Sequence, residues 1–402
     1  MTIIHNLELF MNSHKNEKKE LINNNVLLDK QLLYNDCEYS ILKYNKSLLV
    51  RDNEDEVKKI GKYRSVVYKN NQLLAFSPPK SINLITLMSK YLAKECYAEE
   101  IVEGTMINLF YDKDIQKWEI ATKSSFGANN TFYRNTEPNP TNKTFRQLFF
   151  DVCKRINFDY TVLPTECSYS FVFQHPENRI VVPFSECKLY LIDAYLINEY
   201  KITELNEAEK TKLLHTTINN ANVLAPQSYN FSSYEDLETL LHFMNEDYKN
   251  VGIMIYHTET KDRTKMRNPN YEFVRHLRGN QPKLQYRYLE LRQKDQVAAY
   301  LRYFPEMYNE FNNFKKEIHT FTDELYKKYI SCYIKKEKPL LEYQEKQFHN
   351  HMYNLHHQLY KEKLKEKKQK ITKEIVISYV NKIPPAVLMS CLNWNKGGIQ
   401  AE

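Results

Sequence analysis

Glycine is scarce in this sequence, which contains seven glycines among 402 residues. None of them belongs to a GxxxxGK[ST] or GxGxxG motif, so the glycine-rich loops of P-loop and dinucleotide-binding proteins are missing. The sequence also lacks the GxSxG, HExxH and kinase HRD and DFG motifs. These absences argue against a P-loop ATPase, a dehydrogenase, a serine hydrolase, a zinc protease and a protein kinase.

The seven cysteines are spread along the chain without a CxxC pair. This spacing predicts neither a zinc site nor a disulfide framework. No apolar run approaches the roughly 18 residues that a membrane-spanning helix needs, and the N-terminal segment turns polar too early for a secretion signal. We therefore expect a cytoplasmic protein, located in the host cytoplasm or a viral factory if the source is a virus.

Hydrophobic residues make up 42% of the sequence and charged residues 27%, which is typical of a globular protein. The net charge of +7 favours a polyanionic partner only weakly. The 31 tyrosines accompany many Asn, Lys and Ile residues, a composition typical of AT-rich genomes, including those of large DNA viruses. Because one core rarely supports more than roughly 250 to 300 residues, we expect at least one domain boundary.

The hydrophobic pattern divides the chain into three parts and predicts the α+β class. Residues 1–34 are polar with scattered Leu and Ile, and we predict a helical or loosely ordered N-terminal extension. Residues 35–279 are predicted to form one antiparallel-sheet domain. Residues 280–402, with apolar residues at helical spacing, are predicted to form an all-α C-terminal domain. The strands are predicted from the runs YSILKY, KYRSVVYKN, QLLAFSPP, GTMINLFYD, KWEIATKSS, YSFVFQ, RIVVPF, KLYLIDAYLI and VGIMIYH.

Two features of the C-terminal segment have competing interpretations. Four histidines cluster in FHNHMYNLHHQLY: His349, His351, His356 and His357. Because no cysteine or acidic ligand pattern accompanies them, packing or surface roles are favoured over a metal site. The charge run KEKLKEKKQK at 361–370 is favoured as a solvated helix face over a phosphate-binding surface.

Four segments carry a resemblance that extends from about Tyr39 to Tyr271. In chain order they are YRSVVYKNNQLLAFSPPKSINL, EEIVEGTMINLFYDKDIQKWEIATKSSFGA, YSFVFQHPENRIVVPFSECKLYLIDAY and NVGIMIYHTETKDRTKMRNPNYEFV. Together they resemble the bacteriophage tRNA-repair type of ATP-dependent RNA ligase, a member of the nucleotidyltransferase superfamily. The third segment is the most specific match, with Asn178, Arg179 and Ile180 in register. Gly104, Gly252 and Tyr271 fit the second and fourth segments.

The resemblance implies that this chain has a nucleotidyltransferase domain of the RNA ligase type, and it suggests which residues contact phosphate or ribose. The cations suit phosphate contacts, and the carboxylate suits a hydrogen bond to adenine or ribose. For Arg64 and Lys80 an ordinary surface hairpin is the alternative, and for Glu103 a turn cap. The nucleotide- or RNA-binding candidates are Arg64, Lys80, Glu103, Lys123, Arg179, Lys265 and Arg267.

Three positions depart from the family's pattern. The family's nucleophilic lysine is replaced by Ile101, and two of its carboxylates are replaced by Ser170 and Val251. In the family the lysine attacks the α-phosphate of ATP as a neutral amine. The carboxylates support the divalent cation, usually Mg²⁺, that neutralises the triphosphate. Isoleucine, serine and valine cannot perform these steps.

These departures favour a catalytically inactive RNA ligase-like protein that binds RNA ends, tRNA-like or nicked RNA, or nucleotide phosphates. The first alternative is an active ATP-dependent RNA ligase that uses ATP and Mg²⁺, with Lys80 or Lys123 as a relocated nucleophile. The second alternative is a viral structural or interaction protein that reuses the fold. Salt-sensitive RNA binding distinguishes the inactive RNA-binding protein from the interaction protein, which instead requires a specific protein partner. The active ligase predicts adenylylated protein in the presence of ATP and a divalent metal ion.

Overall fold

The computed structural model describes residues 3–34, 36–49, 54–132 and 143–394. These residues form two compact units: one contains 3–131 and 143–275, and the other contains Phe132 and 276–394. The predicted domain boundary at 279/280 stays a prediction. The antiparallel sheets all belong to the first unit, and from 276 onward the described chain is helical, so the predicted α+β class is confirmed.

Sixteen strands occur in the described part of the first unit. Labelled β1 to β16 in chain order, they are Ile3–Asn6, Leu27–Tyr34, Cys37–Tyr44, Val66–Lys69, Gln72–Ala75, Cys96–Glu100, Thr105–Asp112, Lys117–Thr122, Ser125–Phe126, Cys167–Gln174, Lys188–Asn198, Lys201–Glu204, Val223–Leu224, Ser228–Tyr229, Gly252–His257 and Arg263–Arg267.

The strands build three sheets whose pairing is antiparallel except at one position. The largest sheet has the order β1-β12-β11-β10-β7-β8-β9, and β13 pairs with β11 in parallel. A second sheet has the order β14-β6-β15-β16, and a third has the order β2-β3-β4-β5. Strand β10 lies in the middle of the largest sheet, and its residues are buried from Cys167 to Phe173. Tyr169, Phe171 and Phe173 lie on one face of the strand and pack in one core.

Helices pack against the sheets of the first unit. Helix Phe145–Arg155 begins with a capping box between Thr144 and Gln147, which satisfies its first free N–H groups. Its apolar face joins the core around β7 and β10. The other helices of this unit are Lys15–Asn23, Glu54–Gly61, Leu84–Lys90, Glu207–Lys212, the π-type Leu213–Ile218 and Tyr234–Met244, and helix Pro269–Arg278 begins in this unit.

The second unit consists of helices, of which Tyr308–Tyr329 is the longest. The others are Leu284–Gln293, Val297–Tyr303, the π-type Ile330–Ile334, His349–Asn354, the π-type Leu355–Leu364, Lys373–Asn381 and Pro385–Leu392. Among the described helices, none alone is long and apolar enough to cross a membrane. The last two together meet that requirement in length and composition, with a bend of 116° between them.

The histidines of the second unit have the packing roles that the sequence favours. His351 is buried, and its ring nitrogens contact the Tyr379 hydroxyl at 2.8 Å and the Cys391 sulfur at 3.3 Å. The ring of His356 stacks on Tyr333 with a centroid distance of 4.0 Å. The run 361–370 is almost entirely exposed, as expected of a solvated face.

Two structural predictions are wrong. Residues 179–184, predicted as a strand, form a loop, because the N–H groups of Val181 and Val182 donate to the Glu103 carboxylate and Pro183 has no N–H to donate. The segment 1–34 is not an extension of helix or loose chain, since β1 pairs with β12 and β2 pairs with β3. Its apolar residues are too sparse to show an alternating pattern.

Candidate functional site

Three cations lie on one face of strand β16. Side chains alternate along a strand, so Arg263, Lys265 and Arg267, spaced two apart, share a face. The strand pairs with β15, which places Lys265 opposite Met254 and Arg263 opposite Tyr256. The intervening Thr264 and Met266 are buried on the other face, and Met266 packs in a core with Ile253 and Ile255.

The cationic face of β16 borders a cavity of about 310 Å³, within the roughly 300 to 1,000 Å³ of ligand pockets. Five of its lining residues are cations: Arg64, Arg263, Lys265, Arg267 and Arg275. Two are carboxylates, Glu100 and Glu103. The remaining lining residues are apolar or aromatic apart from Gly104, and they include Ile101, Met106, Val172, Ile192, Val251 and Tyr271.

Two glycines let the backbone form this cavity. Gly104 has φ +143°, and a Cβ there would lie 2.5 Å from the Phe173 carbonyl oxygen. Gly252 has φ +133°, and a Cβ there would lie 2.1 Å from the Met266 carbonyl oxygen. Both positions therefore require glycine, which no other residue replaces without displacing a neighbouring strand.

The Glu103 carboxylate accepts three hydrogen bonds from the protein. One oxygen accepts hydrogen bonds from the N–H groups of Val181 at 2.8 Å and Val182 at 3.2 Å. The other accepts a short hydrogen bond from the Tyr271 hydroxyl. The residue is buried and fixes the loop after β10 to helix Pro269–Arg278. This geometry matches the turn-capping alternative for Glu103, and a ligand-binding role for this carboxylate stays a prediction.

The three departing positions have distinct environments. Ile101 lines the cavity, and its N–H donates to the Gly252 carbonyl at 3.0 Å. Val251 also lines the cavity. Ser170 is completely buried in β10, and its hydroxyl donates to the Asn108 side-chain oxygen at 2.9 Å. An aliphatic side chain therefore lies where the resemblance places the nucleophile.

The cations of the cavity raise each other's electrostatic energy. Burial, followed by repulsion from Arg64, Arg263, Arg267 and Arg275, lowers the pKa of Lys265 from 10.5 to about 7. Burial and repulsion from Arg263 lower the pKa of Arg64 to about 10. A positive charge on Lys265 is thus unfavourable until an anion enters the cavity.

The pairing of these cations is incomplete. Arg267 and Arg275 share the carboxylate of Glu272, with contacts of 2.8 and 2.8 Å. Arg64 donates to the Pro78 carbonyl at 3.3 Å, and Arg263 donates to the Pro79 carbonyl. Lys265 forms no hydrogen bond or ion pair with any residue that the structure describes. The cavity therefore presents donors without matching acceptors.

Three sequence-predicted residues do not line this cavity. Lys80 lies after β5, where its Cβ is close to Gly61. Lys123 is exposed and sits over the Tyr44 ring at 5.0 Å; partial burial, then Arg64, lowers its pKa to about 8. Arg179 donates to the Val181 carbonyl at 3.0 Å. Their binding roles stay predictions, whereas Arg64, Lys265 and Arg267 do meet at one cavity.

Sequence reasoning missed two lining arginines. Arg263 lies two residues before Lys265 on the same strand, so the period-two rule applied to TKDRTKMR would have found it. Arg275 lies four residues after Tyr271 on one helix, so helical spacing places both on one face. Their meeting across the cavity depends on sheet pairing and helix packing, which no local pattern reveals.

The family resemblance implies a divalent cation, but the donors at the cavity do not fit one. Mg²⁺ needs several oxygen ligands, whereas both oxygens of Glu103 already accept hydrogen bonds from the protein, and Ser170 and Val251 offer no carboxylate. Glu100 accepts from the Gln227 N–H at 3.0 Å. Among described residues, the one cluster with metal-ligand spacing is Asp151, His175 and Glu177, elsewhere in this unit, where Lys143 and Arg155 already neutralise it.

A larger cavity of about 490 Å³ lies elsewhere in the first unit. Its one lining cation is Lys113, and its carboxylates are Glu166 and Glu199. None of the nucleotide- or RNA-binding candidates and none of the three departing positions lines it. We therefore assign the candidate site to the smaller, cationic cavity.

Comparisons with known proteins show a partial similarity to an RNA ligase. No protein-family model matches the chain. An RNA ligase of Rhodothermus phage RM378 is 30% identical over 105 residues, covering 25% of this chain and 23% of the phage protein. An immediate-early protein ICP-46 homologue of Invertebrate iridescent virus 3 is 24% identical over 258 residues, covering 62% of this chain and 52% of that protein.

These matches span about a quarter and about half of the lengths of the two relatives. An archaeal ATP-dependent RNA ligase of known structure superimposes with a TM-score of 0.39 at 9% identity, over 96% of each chain. That structural likeness is too slight to support an inference. The predicted resemblance is confirmed by the phage protein: this chain is similar, over part of its length, to a viral RNA ligase.

Proposed function

We propose that this protein binds phosphate groups of RNA ends or nucleotides in the cationic cavity and does not form a lysyl-adenylate at position 101. The proposal rests on one observation: five cations and the aliphatic Ile101 line the same cavity. Arginine and lysine side chains are suited to phosphate oxygens, and isoleucine has no nucleophile. The proposed location is the cytoplasm of the host or a viral factory.

A second candidate is an active ATP-dependent RNA ligase whose lysine has moved. Lys265 is the lysine among the cavity's lining residues, and its lowered pKa of about 7 leaves much of the amine neutral at neutral pH. A neutral amine is the form that attacks phosphorus. This observation favours Lys265 over Lys80 and Lys123 as the nucleophile of that alternative.

One experiment separates the two candidates. Purified protein is incubated with α-labelled ATP and Mg²⁺ or Mn²⁺, denatured, and assayed for covalent label. We expect no label. Label that disappears in Lys265→Met but remains in Lys123→Met would establish the active ligase instead.

RNA binding is measured on the same samples with an oligonucleotide that carries a 5′-phosphate. We expect the double variant Arg263→Gln, Lys265→Met to weaken binding by about tenfold or more, since a charge-assisted hydrogen bond contributes roughly 1.5 to 3 kcal/mol. The matched control is Lys117→Gln, an exposed lysine on β8. Equal affinities for both variants would refute the proposed site.

A further inference from the structure

The charge at the cavity differs from what a metal-dependent nucleotide site requires. A divalent cation is held by free carboxylates, and it lowers the negative charge of the phosphates before protein cations contact them. Here the lining carboxylates are Glu100 and Glu103, and both accept hydrogen bonds from the protein. The positions that the resemblance assigns to other carboxylates hold Ser170 and Val251.

The cavity instead holds positive charge that the protein does not neutralise. Of the five lining cations, Arg267 and Arg275 share one carboxylate, and the bonds of Arg64 and Arg263 given above go to backbone carbonyls. Lys265 has no partner among described residues. A divalent cation beside these groups would meet repulsion, whereas a phosphate would relieve repulsion among them.

Other carboxylates near the cavity, on the same face of the sheet, do not neutralise its positive charge. Glu99 lies opposite Met254 on β6, and burial raises its pKa to about 7. It faces Lys210 and Lys261, which also contact Glu207 at 2.7 and 3.3 Å. This group is a neighbouring cluster of acids and lysines, and its residues do not line the cavity.

From these observations, and resting on the proposed function, we propose that the cavity binds its phosphate ligand as the free anion, without a divalent cation. Lys265 and the four arginines take the place that a metal ion holds in a metal-dependent site. The missing carboxylates and the surplus of cations thus have the same consequence: both favour a phosphate without a bound metal ion. The ligand class is a polyphosphate or a terminal RNA phosphate.

The test is titration of the full-length protein with inorganic tripolyphosphate and with ATP, each in EDTA and in excess Mg²⁺, followed by calorimetry. We expect binding in EDTA, and several-fold weaker binding after Mg²⁺ is added, because the metal neutralises part of the ligand's charge. A requirement for Mg²⁺ would overturn this inference while leaving the proposed function intact. Binding of no phosphate compound and no RNA in either buffer would overturn both.

Two further arms identify the source of the phosphate and guard against misfolding. RNA with a 5′-phosphate is compared with the same RNA bearing a 5′-hydroxyl, both in EDTA. Tighter binding of the phosphorylated form, displaced by tripolyphosphate, indicates an RNA end, whereas equal RNA affinities with tight ATP binding indicate a nucleotide. Lys265→Arg, which keeps the charge, is expected to retain metal-free binding, and Lys265→Met is expected to lose it by about tenfold.

Discussion

At the scale of single residues, Gly104 lines the cavity and immediately precedes strand β7. Its backbone adopts φ +143°, and a Cβ at this position would lie 2.5 Å from the Phe173 carbonyl oxygen of β10. Glu103, the preceding residue, is fixed by three hydrogen bonds from the 181–182 loop and Tyr271. The conformation at 103–104 therefore helps to place Ile101 and Glu103 at the same cavity as the cations of β16.

We predict that Gly104→Ala lowers the free energy of unfolding by about 2 to 5 kcal/mol, because the new Cβ is strained and overlaps a carbonyl. Chemical denaturation measures the change. The matched control is Gly61→Ala at a helix end, where the nearest contact is Lys80 Cβ at 3.3 Å and the φ angle is not strained. A loss of less than about 1 kcal/mol in Gly104→Ala would contradict the described turn.

Lys265 makes phosphate binding depend on pH. Four arginines repel its amine: Arg263 and Arg267 of the same strand, Arg64 and Arg275. Tyr256 and Tyr271 also line the cavity. The nearby acids are Glu99 and Glu100 of β6 and Glu103, which follows that strand. In the free protein its pKa is lowered to about 7. A bound phosphate favours the charged form, so the protein takes up a proton on binding above pH 7.

We therefore predict that affinity for ATP, whose phosphates are already ionised above about pH 7.5, falls between pH 7.5 and 9 by up to about tenfold per pH unit, since one proton is taken up on binding. Lys265→Arg is expected to abolish this slope while keeping affinity, because arginine stays charged. Lys123→Met serves as the control, since the Lys123 pKa is about 8. A slope that survives Lys265→Arg and vanishes in Lys123→Met would assign the proton to Lys123.

At the scale of elements, the first strand is part of the largest sheet. β1 pairs with β12, and the following residue, Leu7, donates its N–H to the Tyr200 carbonyl at 2.9 Å. The side chain of Leu7 is fully buried in a core that contains Leu42, Val66 and Tyr195. The N-terminal segment is thus a structural part of the first unit.

We predict that Leu7→Ala lowers the free energy of unfolding by about 2 to 5 kcal/mol, as expected for a leucine removed from a packed core. Leu33→Ala, from the same N-terminal segment but 78% exposed, is expected to change it by less than about 0.5 kcal/mol. Thermal and denaturant unfolding of the two variants provide the comparison. Equal stability of both variants would return the N-terminal segment to the role of an extension.

Local pattern accounts for the strands that alternate or run apolar, and it fails where pairing partners are distant in sequence. YSILKY, GTMINLFYD and VGIMIYH are strands as predicted, because their side chains fill cores on at least one face. β1 and β2 escaped prediction since their neighbours, β12 and β3, supply the pairing. RIVVPF is apolar enough for a strand, yet its N–H groups bind a carboxylate instead.

The candidate site was also only partly predictable, because its residues come from segments that are distant in sequence. The resemblance singled out Arg64, Lys265 and Arg267 because their residue types and their order in the chain match the family's pattern. These three residues line the same cavity. The resemblance also implied that Glu103 contacts ligand, but a carboxylate's partners are set by the fold, and here they are two backbone N–H groups and Tyr271. Arg275 reaches the cavity from helix Pro269–Arg278, whose Glu272 forms an ion pair with Arg267 of β16.

At the scale of the whole molecule, positive charge is found in two places with different surroundings. The cavity of the first unit gathers five partly buried cations. The run 361–370 of the second unit carries six lysines and two glutamates, nearly all exposed to solvent. Exposed lysines are already hydrated and gain little from a specific ligand, whereas cations in a cavity gain an acceptor that the protein does not provide.

We predict that the salt dependence of RNA binding is set by the first unit. For a single strand, the logarithm of the affinity falls with the logarithm of salt concentration by about 0.7 for each phosphate neutralised. Replacing Arg263 and Lys265 with Gln and Met should lower that slope by about 1 to 1.4, because two phosphate-binding cations are lost. Lys363→Gln with Lys367→Gln removes the same nominal charge from the exposed run and should leave the slope unchanged. A larger decrease in the second variant would place the RNA on the helical unit and make the charge run its binding surface.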